Sequence, residues 1–374
     1  MACVTRLVLT DFRNYHHLSW KPASPVTVIA GPNGSGKTNL LEAVSLLVPG
    51  RGLRGARMDE LPRHSASLWG VAADVAAQWG DDALSIQIAT GADPVRPERR
   101  AFRVDGQAQR NRDAVGEYFS AVWLTPQMDR LFQEGAGGRR RFLDRLVLAL
   151  EPGHARELAA HDRTMMQRSR LLAQRGADGG WLNALERTMA RHAVAAVAAR
   201  VDMVARLNAD EQAVADGFPA AWLELDCPIA GRLREMPALA VEDWLAEQIA
   251  GTRAIDSQRG GSRLGAHRTD LRMADRLSLR PASQSSTGQQ KALLLGIVLS
   301  HARILAACRG QMPMLLLDEP LVHLDDVRRT ALFQAIGRMD TGVFLTGTDN
   351  EQFAPLRQIA EFVTPGEGNL APRA

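Results

Sequence analysis

Apolar and polar positions change rhythm three times along the chain. Near the N-terminus, Val4, Arg6, Leu7, Leu9 and Phe12 follow the two-residue alternation of a half-buried strand. Val26-Thr27-Val28-Ile29-Ala30 is apolar almost throughout and predicts a second, buried strand, and 39–47 predicts the helix after it. Strands are expected at 68–77 and 84–90 around a Gly80-Asp81-Asp82 turn, at 102–104 before an Asp105-Gly106 turn, and at 121–124, ended by Thr125-Pro126.

From about 138 to 216 the texture becomes rich in alanine, arginine and leucine at helical spacing, as in Leu182, Leu185, Met189, His192 and Ala196. Gly176 to Gly180 interrupts it, predicting two helices arranged as a hairpin arm. A strand at 221–226 and a helix at 241–250 complete the arm, and Gly260-Gly261-Ser262 leads back to the first texture. After residue 275 the pattern predicts strand, helix, strand, helix, strand through Phe344, and the last ten residues are expected to be loose. The expected division is 1–135 and 261–374 as two parts of one α/β head, with a helical arm at 136–260 inserted between them.

Composition narrows the class. A chain of 374 residues suffices for two or three compact units. No run approaches 18 uninterrupted apolar residues, and the N-terminus lacks a signal-like apolar run, so the expectation is a cytoplasmic protein without a membrane partner. Cys3, Cys227 and Cys308 are too scattered for a disulfide framework or a zinc site. The net charge of +3 and the pI of about 9.0 permit a polyanionic partner without demanding one. Lys21, Lys37 and Lys291 are the chain's lysines, against a total of 45 basic residues, which reads as a compositional bias toward arginine. It singles out Lys37, because a phosphate-wrapping loop accommodates a compact ammonium and not a forked guanidinium.

Lys37 lies within Gly31-Pro32-Asn33-Gly34-Ser35-Gly36-Lys37-Thr38, between a predicted strand and a predicted helix beginning near Asn39. That is the Walker A pattern. Its glycines let backbone N–H groups turn onto phosphate oxygens, Lys37 reaches the β- and γ-phosphates of ATP, and Thr38 places a hydroxyl on Mg²⁺. About 280 residues later, Met314-Leu315-Leu316-Leu317 predicts a central strand that ends in Asp318 and Glu319. Asp318 is placed to hold Mg²⁺ and Glu319 to polarise the attacking water; the bland alternative is a core strand ending in two surface acids. Glu319 is the reason to expect hydrolysis and not binding alone.

Shortly before this strand, Ser285-Ser286-Thr287-Gly288-Gln289-Gln290 resembles the ABC signature, in which a serine and a glycine at a helix N-terminus grip the γ-phosphate bound to a second subunit. Ser286 and Gly288 take those places, with Gln289 beside them. Ser-Thr before an apolar helix is also good capping chemistry in any protein. Gln127 stands where ABC heads carry a glutamine that touches metal and water, and Leu324-Asp325 fits the loop that packs across the dimer. The switch histidine is missing; Thr348 occupies that region, and slow turnover is the expectation.

Further stretches resemble one family. Asp11-Phe12-Arg13-Asn14-Tyr15, Arg139-Arg140-Arg141-Phe142-Leu143-Asp144, Gln167-Arg168-Ser169-Arg170-Leu171-Leu172, Gly265-Ala266-His267-Arg268-Thr269-Asp270-Leu271 and Ser286-Thr287-Gly288-Gln289-Gln290-Lys291 occur in order, and together they are similar to the RecF family of SMC-related heads. Ala266 departs from its usual proline, Gln127 from a frequent glutamate, and Gly347 lies within the switch region. The resemblance implies an α/β, ABC-type ATPase head with a short helical arm, and adds Arg13 and Asn39 to the nucleotide-contacting residues. It further implies an ATP-dependent homodimer that holds DNA and, with RecO and RecR, helps load RecA at single-strand gaps.

Candidates for DNA contact are Arg51, Arg54 and Arg57 and the triplet Arg139 to Arg141, each set against the alternative of a solvated charged face. Arg54 has a rival role as a nucleotide-phosphate sensor, and His267 reads as a positioning, DNA-contacting or structural residue. An aromatic content of 5% argues for duplex-backbone contact over a stacking platform. A transporter subunit would need the switch histidine and about 100 residues between motifs. Another SMC-type repair head would need a far longer heptad arm.

Overall fold

The computed structural model describes residues 2–79, 82–110, 115–174, 178–366 and 370–372. The expected turn residues Gly80 and Asp81, the Gly176 break and parts of the last ten residues lie outside them. The described chain forms two compact units, one made of 1–130, 211–220 and 285–374, the other of 131–210 and 221–284.

In chain order, the first segment of the first unit contains β1 (Cys3–Phe12), β2 (Tyr15–Trp20), β3 (Val26–Ala30), α1 (Lys37–Ser45), β4 (Gly70–Trp79), β5 (Asp82–Ala92), β6 (Arg100–Val104), β7 (Gln107–Ala108), α2 (Val115–Tyr118) and β8 (Ala121–Leu124). Helices α3 (Ala136–Leu150), α4 (His154–Leu172) and α5 (Gly179–Ala209) open the second unit. The short α6 (Gln212–Ala215) returns to the first. The second unit resumes with β9 (Ala221–Asp226), α7 (Pro228–Leu233), α8 (Ala238–Gly251), α9 (Arg253–Arg259) and β10 (Asp270–Asp275). The first unit closes with α10 (Thr287–Arg309), β11 (Met314–Leu317), α11 (Asp326–Arg338), β12 (Val343–Gly347), β13 (Ala360–Pro365) and β14 (Leu370–Pro372).

Two sheets organise the first unit. One is antiparallel, in the order β2-β1-β4-β5-β6-β7; the other runs β14-β13-β3-β12-β11-β8 and is parallel from β13 to β8. Every residue of β3, β8, β11 and β12 is buried, the near-continuous apolar pattern that a strand covered on both faces requires. Because these strands are parallel and Ala30 pairs with Gly347, the loops after β3, β11 and β12 leave from one end of the sheet. Ligands of open parallel sheets bind beyond those carboxyl ends. Helix α10 is apolar enough by length and composition to cross a membrane, but 72% of its most hydrophobic window is buried inside the protein. The 211–220 segment packs on its Gly296, where an added Cβ would lie 3.2 Å from the Pro219 carbonyl oxygen.

The second unit differs from a two-helix hairpin. Glu151-Pro152-Gly153 separates α3 from α4, because proline cannot donate the N–H that would continue α3. Asp178 caps α5 by accepting the Gly180 N–H at 2.8 Å. Arg168 on α4 is fully buried and donates to Glu186 on α5, Asp256 on α9 and the Ile249 carbonyl, at 2.8–2.9 Å. Arg200 on α5 donates to both carboxylate oxygens of Asp144 on α3, at 2.7 and 3.0 Å. The predicted strand after residue 275 instead runs over 270–275, antiparallel to β9 from Asp270–Asp226 to Asp275–Ala221. It stops because the Leu279 N–H turns back onto the Asp275 carbonyl at 2.8 Å. This pairing groups 261–284 with the helical unit, whereas the sequence pattern placed those residues with the head.

Candidate functional site

The Gly31–Thr38 loop leaves the end of β3 and enters α1 through Gly36, whose φ of 100° is a left-handed value suited to glycine. A Cβ at Gly36 would also come within 2.5 Å of Asn14 Nδ2 and 2.8 Å of the Tyr15 hydroxyl. The connection from β1 to β2 therefore packs directly on the loop, and the Tyr15 hydroxyl donates to the Gly36 carbonyl at 3.3 Å. Gly34 likewise has a φ of 81°, Gly31 donates its N–H to the Gly347 carbonyl, and Pro32 accepts the Ser35 N–H. Pro32, Asn33 and Gly34 are exposed at the rim.

Lys37 is 5% exposed and donates to the Gly31 and Pro32 carbonyls at 2.7 and 2.9 Å. Burial lowers its pKa, opposed by the nearby Glu319 and Asp318 carboxylates. The result is a positive charge drawn to the inside of the loop at the N-terminal, positive end of α1. Ser35 Oγ is buried without a hydrogen-bond partner among the described residues. Such an atom within a glycine loop around an ammonium fits an anionic phosphate chain.

Thr38 stands one residue further and donates to both oxygens of Asp318 at 3.0 Å. Asp318 is buried at the end of β11, where its N–H is fixed by the Leu124 carbonyl of β8. Thr346 of β12 donates to Asp318 Oδ1 at 2.6 Å and accepts the Glu319 N–H at 2.9 Å. Glu319 has a φ of 47°, a left-handed conformation that turns the chain sharply away from the strand. A hydroxyl and a carboxylate converging beside the phosphate loop are the oxygen donors that a hard divalent cation such as Mg²⁺ takes.

Ser286 caps α10 by accepting the Gln289 N–H at 3.3 Å, while Gln289 Oε1 accepts the Ser286 N–H at 3.1 Å, a reciprocal capping box. Capping chemistry and signature position thus coincide in the same residues. Ser286, Thr287 and Gln289 are exposed. A Cβ on Gly288 would meet the His323 carbonyl oxygen at 2.6 Å, so glycine here admits the loop before α11. Asp325 caps α11 by accepting the Arg328 N–H at 2.9 Å, and Leu324 is buried.

The remaining candidates fall in three places. Gln127 is exposed on the 3-10 turn that follows β8, at the same end of the sheet as Asp318. Thr348 is exposed, two residues beyond the buried Thr346 that reaches Asp318. Arg13 is committed elsewhere: it grips both oxygens of buried Glu42 on α1 at 2.7 and 2.8 Å and donates to the Glu60 carbonyl. Arg54 shares Glu42 at 3.1 Å and donates to Asn39 Oδ1 at 2.7 Å; Asn39 in turn donates to Asn14. The two arginines thereby hold the helix that carries Lys37 and Thr38.

Thr346, Glu42 and the Lys291–Asp129 ion pair are contributions that the motifs did not expose. Thr346 had one signal, a hydroxyl in an otherwise apolar buried strand. Lys291, three residues after Gly288, is 1% exposed at its side chain and binds Asp129, two residues after Gln127, at 3.0 Å. It joins the turn after β8 to the start of α10.

In the second unit, Arg139 is bidentate to Asp270 at 2.7 and 2.8 Å, Arg140 donates to the Thr269 carbonyl, and Arg141 is exposed. His267 donates its Nε2–H to the Ser262 carbonyl at 3.0 Å and lies against His161, with ring centroids 5.4 Å apart.

Known proteins share this sequence pattern and fold. The model of the RecF/RecN/SMC N terminal domain matches residues 3–365. The DNA replication and repair protein RecF of Mesorhizobium japonicum is 41% identical over 372 residues, covering 99% of this chain and 97% of its own. That of Rhizobium meliloti is 40% identical, with 98% of each chain covered. Among solved structures, the recombination mediator protein RecF-ATPrS of the RecFOR pathway superposes with a TM-score of 0.86 at 22% identity over 100% of this chain and 98% of its own. The Pyrococcus furiosus Smc head domain matches more loosely, at a TM-score of 0.52 and 14% identity over 100% and 97% of the two chains. Sequence and fold agree that the chain belongs to the RecF family, within the RecF/RecN/SMC group.

Proposed function

We propose that this protein is an ATP-dependent, DNA-binding recombination mediator of the cytoplasm. One observation carries the ATPase part of the reading: the phosphate-loop hydroxyl of Thr38 and the strand-end carboxylate of Asp318, 280 residues apart in sequence, meet at 3.0 Å. The RecF names of relatives about 40% identical over nearly the whole chain carry the DNA-repair part.

In this reading the Gly31–Thr38 loop and Asn39 bind ATP, with Lys37 neutralising the phosphates and Ser35 Oγ donating to them. Thr38 and Asp318 would hold Mg²⁺, which supplies charge neutralisation at the phosphates when bound. Glu319 polarises the attacking water, with Gln127 and Thr348 completing the surroundings of the γ-phosphate. A threonine hydroxyl in place of a switch imidazole makes turnover slow. Arg13 acts through Glu42, setting the position of α1.

Exposed Ser286 and Gln289, with Gly288 between them, serve the nucleotide of a second copy, so that ATP closes a head-to-head homodimer and hydrolysis opens it. The closed dimer holds duplex DNA near single-strand gaps and, with RecO and RecR, helps load RecA. Sedimentation of the wild type and Ser286→Arg, with and without ATP, tests this directly. An ATP-dependent dimer that the substitution abolishes is the expected result. A wild type that stays monomeric with ATP would refute the reading.

A further inference from the structure

The loop between β11 and α11 holds an exposed histidine whose backbone packs on the glycine at the start of α10. His323 has a φ of 66°, a left-handed conformation that glycine or asparagine adopts at less cost. Its carbonyl packs on the signature glycine, since a Cβ on Gly288 would lie 2.6 Å from that oxygen. Leu321 and Leu324 on either side are buried and anchor the loop, while His323 itself is exposed, as are the signature residues Ser286, Thr287 and Gln289. The ring makes no hydrogen bond among the described residues. Within the chain's own site, Thr348 stands in the switch region, and the two side chains bonded to Asp318 and the Glu319 N–H there are the hydroxyls of Thr38 and Thr346, neither of them an imidazole.

We infer that His323 is a catalytic residue acting in trans: its ring N–H donates to a γ-phosphate oxygen of the ATP bound by the second copy, replacing the imidazole that the second copy's own switch region lacks. This rests on the proposed head-to-head dimer. The anchoring argument is geometric. If Ser286 and Gly288 of one copy grip the other's γ-phosphate, the residue packed against Gly288 is one side chain away from it. The reaction itself is unchanged: a bond forms between water oxygen and γ-phosphorus, the bond to the bridging oxygen breaks, ADP leaves, and the water proton passes to Glu319. His323 transfers no proton; its donor stabilises charge on the equatorial oxygens.

His323→Gly tests this without threatening the fold, because glycine relaxes the left-handed backbone. The expected result is a fall in ATP turnover of about 100-fold, with the ATP-dependent dimer and the thermal midpoint retained. Mixing His323→Gly with Glu319→Gln before ATP is added then distinguishes trans from cis. In a mixed dimer, the site on the His323→Gly copy keeps its own Glu319 and receives His323 from the other copy, so turnover rises well above that of either variant alone. Full turnover by dimeric His323→Gly, or the absence of rescue on mixing, overturns the inference while leaving the dimer standing. A wild type that hydrolyses ATP as a monomer overturns both.

Discussion

Thr346 donates its hydroxyl to Asp318 Oδ1 across 2.6 Å and accepts the Glu319 N–H at 2.9 Å. One side chain from the neighbouring strand thus orients the Asp318 carboxylate, proposed to hold Mg²⁺, and fixes the backbone of Glu319, proposed to polarise the water. Thr346→Val keeps the shape and removes both bonds. Leaving two buried polar groups short of partners costs ~1–3 kcal/mol, or about 5- to 160-fold in turnover. Thr346→Ser should retain activity. Wild-type turnover in the valine variant would refute this role.

The Lys291–Asp129 pair is asymmetric, with side chains 1% and 27% exposed. Asp129→Asn strands a buried ammonium, whereas Lys291→Met fills the same space with an apolar chain and leaves Asp129 near water. Urea unfolding should show the asparagine variant destabilised by ~2–3 kcal/mol and the methionine variant by ~1 kcal/mol or less. The reverse order would mean that the pair does not govern this contact.

Arg168 links α4, α5 and α9 from a fully buried position. Its loss exposes Glu186 to Arg253 alone and leaves Asp256 with the Thr252 hydroxyl and the Arg263 N–H. Arg168→Met should destabilise the helical unit by ~3–5 kcal/mol. Circular dichroism against denaturant checks this; a loss under ~1 kcal/mol would contradict it.

The arginine triplet separates into structural and free members. Arg139 and Arg140 are spent on Asp270 and the Thr269 carbonyl, so Arg139→Ala should lower the melting temperature. Exposed Arg141 is available to a phosphate. Arg141→Ala should reduce the slope of log affinity against log salt by about 1 without moving the melting temperature. An unchanged slope would exclude Arg141 from the DNA contact.

His161 supplies a pH dependence. Burial pulls its pKa from 6.5 down to about 4, Asp162 opposes the shift, and His267 and Arg200 reinforce it. Between those values the unfolded chain binds a proton that the folded one does not. Stability is therefore full above pH 6.5 and declines as pH falls toward 4. Thermal midpoints at pH 7, 6 and 5 should fall in the wild type and fall less in His161→Gln. Parallel curves would refute the assignment.

The strands of the parallel sheet were readable because burial on both faces writes an unbroken apolar run, as in Met314–Leu317. The phosphate loop was readable because its backbone demands glycine at Gly34 and Gly36, where φ is 81° and 100°. Partners were not readable. Arg13 and Arg139 look alike in sequence as free cations, and only packing shows that Glu42 and Asp270 hold them. The break between α3 and α4 lay in plain view at Pro152, yet the alanine-rich periodicity on both sides masked it.

The sequence alone located the glycine loop between strand and helix, the strand that ends in two acids, the Ser286-capped apolar helix, and the family to which that order belongs. These are local properties, set by backbone conformations and by periodicities of a few residues. Only the tertiary structure decided how the pieces are held. Thr38 and Asp318 meet because parallel pairing brings the ends of β3 and β11 to one edge through β12 between them. The same pairing puts Thr346 between the two. Contacts of that kind depend on register between distant strands, and no window of sequence contains both partners.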